Sequence, residues 1–537
     1  MPTGPLTSLL RFPISELEFF SSFDRQFSRL DPSLDAILPH PPTKGAFDDM
    51  LREKISSYTH RGRLASILEQ QYHGLDLPDA LAKNIHDLAH GHAVSITTAH
   101  QPLLFGGTLY FLYKALSAIR LAREAESWLP DQRVVPVFVL GSEDHDYEEV
   151  RHIRLLGKTM SWESDAKGGP VGRMDAGNIP ELIEQLKEIF TPLPFGNQVL
   201  HLLEESYKPG ASYGQSTFRF LHHLLGRLGL VVIDLDHQLA KQACIQIFEQ
   251  ELTQGFAKPI IEQTIHRLEK VGFTQQAHVR DINLFYLDGH RRERIESDSP
   301  ENYRTVDQQY AWTRTEILLE LQEHPERFSP NVNLRPVLQE TMLPNLAFVG
   351  GAGELAYWVQ LTDLFQSLHL PFPILVRRHS GLLVDEWTQQ KLTKLGLPLQ
   401  AFFQPQEALL QQFVHEMANV PGDLDAEREA LRELMKQVKA KCAAIEPTLE
   451  RSAESAEVQM DKLLQALEGK MTRGLKQIHE REVNQIRGIY DRLMPEGQLQ
   501  ERNESFLSWM ARYGYGWIDD LLEAFTPLDF AMVCYRF

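Results

Sequence analysis

Five short runs of apolar, largely β-branched residues, each ending in a polar or glycine-rich turn, constrain this chain more than any other feature. They are Val94-Ser95-Ile96-Thr97-Thr98, Val134-Val135-Pro136-Val137-Phe138-Val139-Leu140, Leu230-Val231-Val232-Ile233-Asp234, Leu346-Ala347-Phe348-Val349 and Phe372-Pro373-Ile374-Leu375-Val376. Helical stretches flank them: Leu109 to Glu126 after the first, Phe218 to Leu228 before the third, and Leu355 to Leu361 after the fourth. Near-continuous apolar strands alternating with amphipathic helices are what a parallel sheet covered on both faces requires. The expected fold is therefore α/β, a doubly wound parallel sheet. Pro136 and Pro373 cannot donate a ladder hydrogen bond and stand in tension with two of these strands.

From Leu140 to Leu230, and again from Asp234 to Leu346, the chain is far longer than one crossover helix needs. Inserted subdomains are expected at about 151–228 and 237–330. The second holds a hairpin, Asn283 to Leu287 meeting Arg291 to Ile295 around Asp288-Gly289, a dipeptide that favours a tight turn. Beyond residue 404 helix formers dominate. An apolar row from Leu431 through Leu434, Val438, Cys442 and Ile445 to Leu463, Leu467 and Ile478 advances 47 residues in thirteen steps, 3.6 per step, the period of a straight helix. Pro447 demands a break or restart. Pro447 to Met494, read as one helix, would run ~70 Å; so long a helix needs another to cover its stripe. A helical hairpin or coiled-coil arm over 405–505 is expected, with dimerisation as its use. The last stretch, 506–537, is dense in aromatics (Trp509, Tyr513, Tyr515, Trp517, Phe525, Phe530, Tyr535, Phe537) and is read as a tail packing back on the 1–404 core rather than as a ligand cage.

Charge narrows the function. With 54 basic and 73 acidic side chains the net charge is −19, which argues against a broad grip on nucleic acid but not against one small basic pocket. Cys244, Cys442 and Cys534 form no CxxC pair, as expected in a reducing compartment. Met1 to Leu30 has neither the apolar core of a signal peptide nor a membrane span. A cytoplasmic protein without membrane contact is expected.

Three constellations gather where the strands end, and in open α/β sheets ligands bind at the carboxyl ends of strands. The first is His100-Gln101 with Gly106-Gly107-Thr108, Tyr110 and Lys114: His100 can bond an anion or pass a proton, the glycines admit a ligand to the backbone, and Thr108 can cap the helix. A plain strand–turn–helix corner would look the same. The second, Glu143-Asp144-His145-Asp146-Tyr147-Glu148-Glu149, packs five carboxylates and a histidine into seven residues. Like charges raise one another's pKa, and a cation, an ammonium substrate or a proton-transfer role relieves the cluster. An attacking amine must lose a proton, for which Asp144, His145 or Asp146 would serve; Glu148 and Glu149 also suit a helix N-terminus. The third holds Arg335, Gln339, Gly350-Gly351, Gly353, Glu354 and Tyr357, followed by Arg377-Arg378. The glycine turn is compatible with a phosphate cradle or with close helix–strand packing. The arginine forks match carboxylate or phosphate oxygens, or else pair with the acidic cluster.

Taken in order, Thr98 to Tyr110, Val135 to Glu149, Leu334 to Leu361 and Pro373 to Arg378 resemble the bacillithiol biosynthesis cysteine-adding (BshC) family. The resemblance continues through the helical segment to Met494-Pro495-Glu496-Gly497-Gln498-Leu499-Gln500-Glu501-Arg502 and covers nearly the whole chain. Ala99-His100 replaces the family's Gly-Gln, so His100 would have to meet that glutamine's role, and Gly106-Gly107-Thr108 replaces Thr-Gly-Pro. The resemblance implies a Rossmann-like, nucleotidyltransferase-like core. It also implies a ligase that joins the carboxyl of cysteine to the amine of glucosaminyl-malate, giving a low-molecular-weight thiol. On this footing His100, Asp144, His145 and Asp146 are the catalytic candidates. Gln101, Tyr110, Lys114, Glu143, Arg335, Gln339, Glu354, Tyr357, Arg377 and Arg378 would bind substrate. Gly106, Gly107, Gly350, Gly351 and Gly353 would face a cofactor, for which ATP is the candidate although no KMSKS-like loop stands beside the site; no metal is assigned. Two other readings stay open: an ATP-dependent ligase or nucleotidyltransferase acting on another amine, and a non-catalytic coiled-coil scaffold.

Overall fold

The computed structural model describes residues 6–35, 37–164, 168–289, 291–418 and 424–536. All five apolar runs are strands. The first is β1 (Val94–His100), which turns into α1 (Leu109–Trp128); the next two are β2 (Val134–Leu140) and β3 (Val231–Asp234). An inserted region supplies β4 (Leu284–Asp288), β5 (Arg291–Ser299), β6 (Asn302–Thr305), β7 (Ala311–Thr313) and β8 (Phe328–Pro330). Then follow α2 (Arg335–Met342), β9 (Asn345–Gly350), α3 (Ala352–Trp358) and β10 (Ile374–Arg377).

The sheet is parallel throughout, in the order β10-β9-β1-β2-β3. That is the doubly wound Rossmann-like arrangement, and its topological switch lies between β1 and β9. Val94, Ile96, Val134, Leu346, Val349 and Ile374 are buried against Ala118, Leu121 and Ala122 of α1 and against Phe47 and Met50 of the helix Ala46–Ser57. Each such aliphatic side chain contributes about 1.5–3 kcal/mol by leaving water. Pro136 is tolerated in a central strand because β3 joins the ladder only at Val137, so Pro136 is paired on the β1 side alone. Pro373 falls just before β10.

Strands β4 to β8 form a separate antiparallel sheet, in the order β7-β6-β5-β4-β8. Its first hairpin turns one residue later than the sequence suggests. Asp288 is still paired, with Arg291, and the turn begins at Gly289, whose φ of 54° suits glycine; His290 lies outside the described residues.

The chain divides into two compact units, Met1–Leu382 with Glu501–Phe537, and Leu383–Gln500. In the first, Ala531–Arg536 pairs with Thr7–Pro13. The Tyr535 hydroxyl lies 2.7 Å from His379 Nε2, and the Phe525 ring stacks on His379 at 3.9 Å; Phe537 lies outside the described residues. The second unit contains α4 (Asp425–Ile445), α5 (Pro447–Ile478) and α6 (Glu480–Leu493). Pro447 opens α5 as its first residue, where a missing N–H costs nothing. The single helix expected from Pro447 to Met494 is instead two, interrupted at His479. The apolar row likewise crosses the reversal between α4 and α5, so it is two faces and not one. These two helices run antiparallel, clamped by Arg428 on Asp461 at 2.7 and 3.1 Å and by Lys439 on Glu457.

Candidate functional site

A cavity of about 630 Å³ opens at the carboxyl edge of the parallel sheet, lined from the ends of β1, β2, β9 and β10, from the residue pair after β3, and from the inserted sheet. At the end of β1 the chain passes Phe105, Gly106 and Gly107, all with positive φ (52°, 76° and 63°), to turn sharply into α1. This turn is packed and does not line the cavity. A Cβ at Gly106 would stand 2.7 Å from Phe220 and 2.9 Å from Phe506, and one at Gly107 would stand 2.6 Å from Leu103. The expected cofactor role of Gly106 and Gly107 is therefore replaced by close packing. Thr108 makes no capping bond, and its buried hydroxyl has no partner among the described residues.

His100, Gln101 and Tyr110 do line the cavity. Nδ1 of His100 is 3.0 Å from the Gln101 carbonyl, an acceptor, and Nε2 is 3.0 Å from the Tyr110 hydroxyl. Nδ1 therefore carries the proton and Nε2 accepts from Tyr110. Burial, then repulsion from Lys114, pushes the imidazole down to about 4; His100 is neutral at neutral pH. Among the described residues the buried Gln101 amide nitrogen has no hydrogen-bond partner. Lys114 is buried behind this face. It donates to the Ala99 carbonyl and pairs with Glu354 at 2.7 Å, so it holds a wall residue and does not line the cavity.

From the end of β2 come Glu143, Asp144 and His145. Glu143 pairs with Lys241, which is wholly buried and also near Asp236. Burial raises the Glu143 carboxyl, and Lys241 opposes the shift. Asp144 Oδ1 accepts the backbone N–H groups of His145 (2.7 Å) and Asp146 (3.2 Å). Asp146 is placed differently from expectation. Its carboxylate caps the short helix Tyr147–Val150 by accepting from Glu149 N at 3.1 Å, and it is exposed outside the cavity. The helix-dipole explanation holds there.

The lining also includes Arg335, Gln339, Gly351, Gly353, Glu354, Tyr357 and Arg378. Arg335 opens α2 and donates to the Tyr357 hydroxyl at 2.9 Å. Gln339 donates to Glu340 at 3.0 Å. Arg378 is held by Glu501 at 2.8 Å while its guanidinium lies over the Tyr110 ring. Arg377 does not reach the site: successive strand residues point to opposite faces, and its guanidinium is buried on Asp24 at 2.6 and 3.1 Å. The reading of Arg377 as a substrate clamp is corrected to a structural ion pair.

The glycine turn after β9 has its helix start already occupied. Gly351 N–H donates to Glu354 at 3.0 Å, closing a capping box, so a carboxylate already stands at the helix start. Gly350 is explained by packing, since a Cβ there would meet Phe348 at 2.9 Å and Leu355 at 3.1 Å. The first glycine turn is thus packed away from the cavity, whereas Gly351 and Gly353 of the second line it. Among the described residues no group of three or more His, Cys, Asp or Glu is placed to hold a metal ion.

Sequence reasoning missed three contributions. Asp236 lies two residues past β3 and follows the same strand-end rule that found the others. Arg502 comes from the far C-terminal part of the chain, and Arg292 comes from β5 of the inserted sheet. Arg292 donates to Ser329 Oγ at 3.0 Å, to the Pro330 carbonyl at 3.1 Å and to His145 Nδ1 at 2.8 Å. Its guanidinium stacks on Phe285 at 3.9 Å. The only sequence signal was an arginine pair in a predicted hairpin.

The cavity thus gathers arginines and carboxylates at the end of a Rossmann-like sheet. Two family descriptions match the chain: the bacillithiol biosynthesis BshC N-terminal Rossmann-like domain over residues 13–379, and its C-terminal coiled-coil domain over 381–537. A protein of Flavobacterium johnsoniae named "Putative cysteine ligase BshC" is 31% identical over 513 residues, 95% of this chain and 96% of that one. A Christiangramia forsetii protein of the same name is 30% identical over 535 residues, covering 98% and 96%. One from Chloroherpeton thalassium is 32% identical over 445 residues, 78% of each. On both domains and nearly its full length, the chain belongs to the bacillithiol biosynthesis BshC family.

Proposed function

We propose that the protein ligates cysteine to glucosaminyl-malate, forming the amide between the cysteine carboxyl and the glucosaminyl amine in bacillithiol biosynthesis. The observation that carries the reading is the mixed charge of the cavity lining, Arg335, Arg378 and Arg502 together with Glu143, Asp144 and Asp236. Malate presents two carboxylates, which guanidinium forks bind with charge-assisted hydrogen bonds. The glucosaminyl amine is an ammonium in water and is drawn to the carboxylates. The Gln101 side-chain amide, whose nitrogen has no partner among the described residues, is suited to donate to an acyl oxygen without adding charge, beside a neutral His100. The three cysteines are free thiols, which fits a reducing, cytoplasmic setting.

The test is product analysis by mass spectrometry with cysteine and glucosaminyl-malate supplied, with and without ATP. A product of the condensed mass in either arm supports the reading. Its absence from both contradicts it.

The helical unit supports a further part of this reading, a homodimer. Leu434, Ile445, Leu463, Leu467 and Ile478 stand exposed there, with Ile445 at 79% and Leu463 at 70%. Apolar side chains of this size gathered on one unit favour a second copy as cover. Light scattering should give a dimer for the natural chain and a monomer for a Leu463→Glu, Leu467→Glu variant.

A further inference from the structure

The guanidinium of Arg292 cannot accept a hydrogen bond, because it has five N–H donors and no lone pair. Its Nη1 nevertheless sits 2.8 Å from His145 Nδ1. The ring nitrogen must therefore be the acceptor and carries no proton, which leaves the proton of the neutral imidazole on Nε2. Arg292 is not free to turn away. Nε is tied to Ser329, Nη2 to the Pro330 carbonyl, and the plane rests on Phe285. His145 becoming an imidazolium would set an N–H against an N–H and a second positive charge beside the first. His100 is fixed in the opposite tautomer by a different pair of partners.

We infer that Arg292 is a positioning residue that holds His145 as a neutral Nε2–H donor, and that Asp144 takes the proton from the substrate ammonium. The inference rests on the ligation reading and deepens it. The step balances without a co-reactant: the ammonium N–H bond breaks, its electron pair stays on nitrogen as the nucleophile, and the proton passes to the Asp144 carboxylate. Asp144 spends one oxygen on two backbone N–H groups, and among the described residues its other oxygen has no partner. Glu143 is occupied by Lys241, and Asp146 by its helix cap. The groups facing His145 are Arg292, Asp144 and Asp146, with the Phe285 ring beside it; burial and Arg292 lower its pKa against the pull of the two carboxylates.

Nitrogen-15 NMR of histidine-labelled protein, with His145 assigned by comparison with His145→Gln, reads the tautomer without the reaction. The natural chain and Arg292→Lys should show Nε2–H, and the ring should stay neutral below the ordinary histidine pKa. In Arg292→Ala the ring should titrate nearer that ordinary value. In steady-state ligation Asp144→Asn should lower kcat by about 10²–10⁴-fold. His145→Gln, which keeps an N–H donor, should lose up to about tenfold. A proton on Nδ1 in the natural chain overturns the inference. So does an Asp144→Asn variant within about tenfold of the natural rate while His145→Gln falls more than a hundredfold. If no product forms at all, the ligation reading fails and the Asp144 role falls with it, while the His145 tautomer still stands or falls on the NMR.

Discussion

The two units handle charge and apolar surface in opposite ways. In the α/β unit charged side chains are buried in pairs: Arg377 on Asp24, Arg378 on Glu501 and Lys114 on Glu354, with the first pair only 3% and 2% exposed. In the helical unit ion pairs such as Arg432 with Glu429 lie at the surface, and large apolar side chains are left in solvent. Taking charges out of water is costly unless each meets a partner. The α/β unit bears that cost around its strand ends, where a site needs fixed electrostatics. The helical unit leaves leucines and isoleucines exposed, which the proposed homodimer would cover.

The largest effect should come from breaking a buried pair. Asp24→Ala leaves Arg377 uncompensated and should lower unfolding stability by about 3–5 kcal/mol, read from a denaturant midpoint. Acid should come next. Burial holds His100 at about 4 and His379 at about 3, below the ~6.5 of an unfolded histidine. The unfolded chain therefore binds protons first, and stability falls as pH drops below that value. At pH 5 each histidine should cost about 2 kcal/mol relative to pH 7. A melting temperature flat from pH 7 to 5 would contradict this.

Arg335→Ala tests the arginines of the cavity. Losing a charge-assisted contact should weaken glucosaminyl-malate binding by about 2 kcal/mol, roughly thirtyfold in Kd, with the unfolding midpoint nearly unchanged. Smallest of all should be Arg432→Ala, because its pair with Glu429 is exposed and contributes little. Its melting curve should overlay that of the natural chain. If Asp24→Ala and Arg432→Ala shifted stability alike, the contrast between the two units would be lost.

The sheet was legible because its strands are buried on both faces and so are apolar along their length; β1, β2, β3, β9 and β10 all sit where those runs sit. The strand-end rule likewise led to His100, Asp144, His145, Arg335 and Arg378. Arg377 was misread because its neighbour Arg378 has the same chemistry, and alternation along a strand, not residue type, decides which of the two meets the cavity. Asp146 looked like a third acid of the site, but a one-turn helix beginning there takes its carboxylate as a cap. Arg292 was out of reach. It arrives from an antiparallel insertion whose packing on the sheet edge leaves no local pattern in sequence. The apolar row of the arm was legible in period but not in path, since a period of 3.6 runs on unbroken across the reversal at Pro447.

Calorimetric titration of glucosaminyl-malate and of unmodified glucosamine, against the natural chain and Arg335→Ala, tests most directly whether the arginine-lined end of the cavity recognises a dicarboxylate. Binding of glucosaminyl-malate alone, weakened by Arg335→Ala, is the predicted result. Equal affinity for the two sugars, or affinity for glucosaminyl-malate untouched by the substitution, would contradict it.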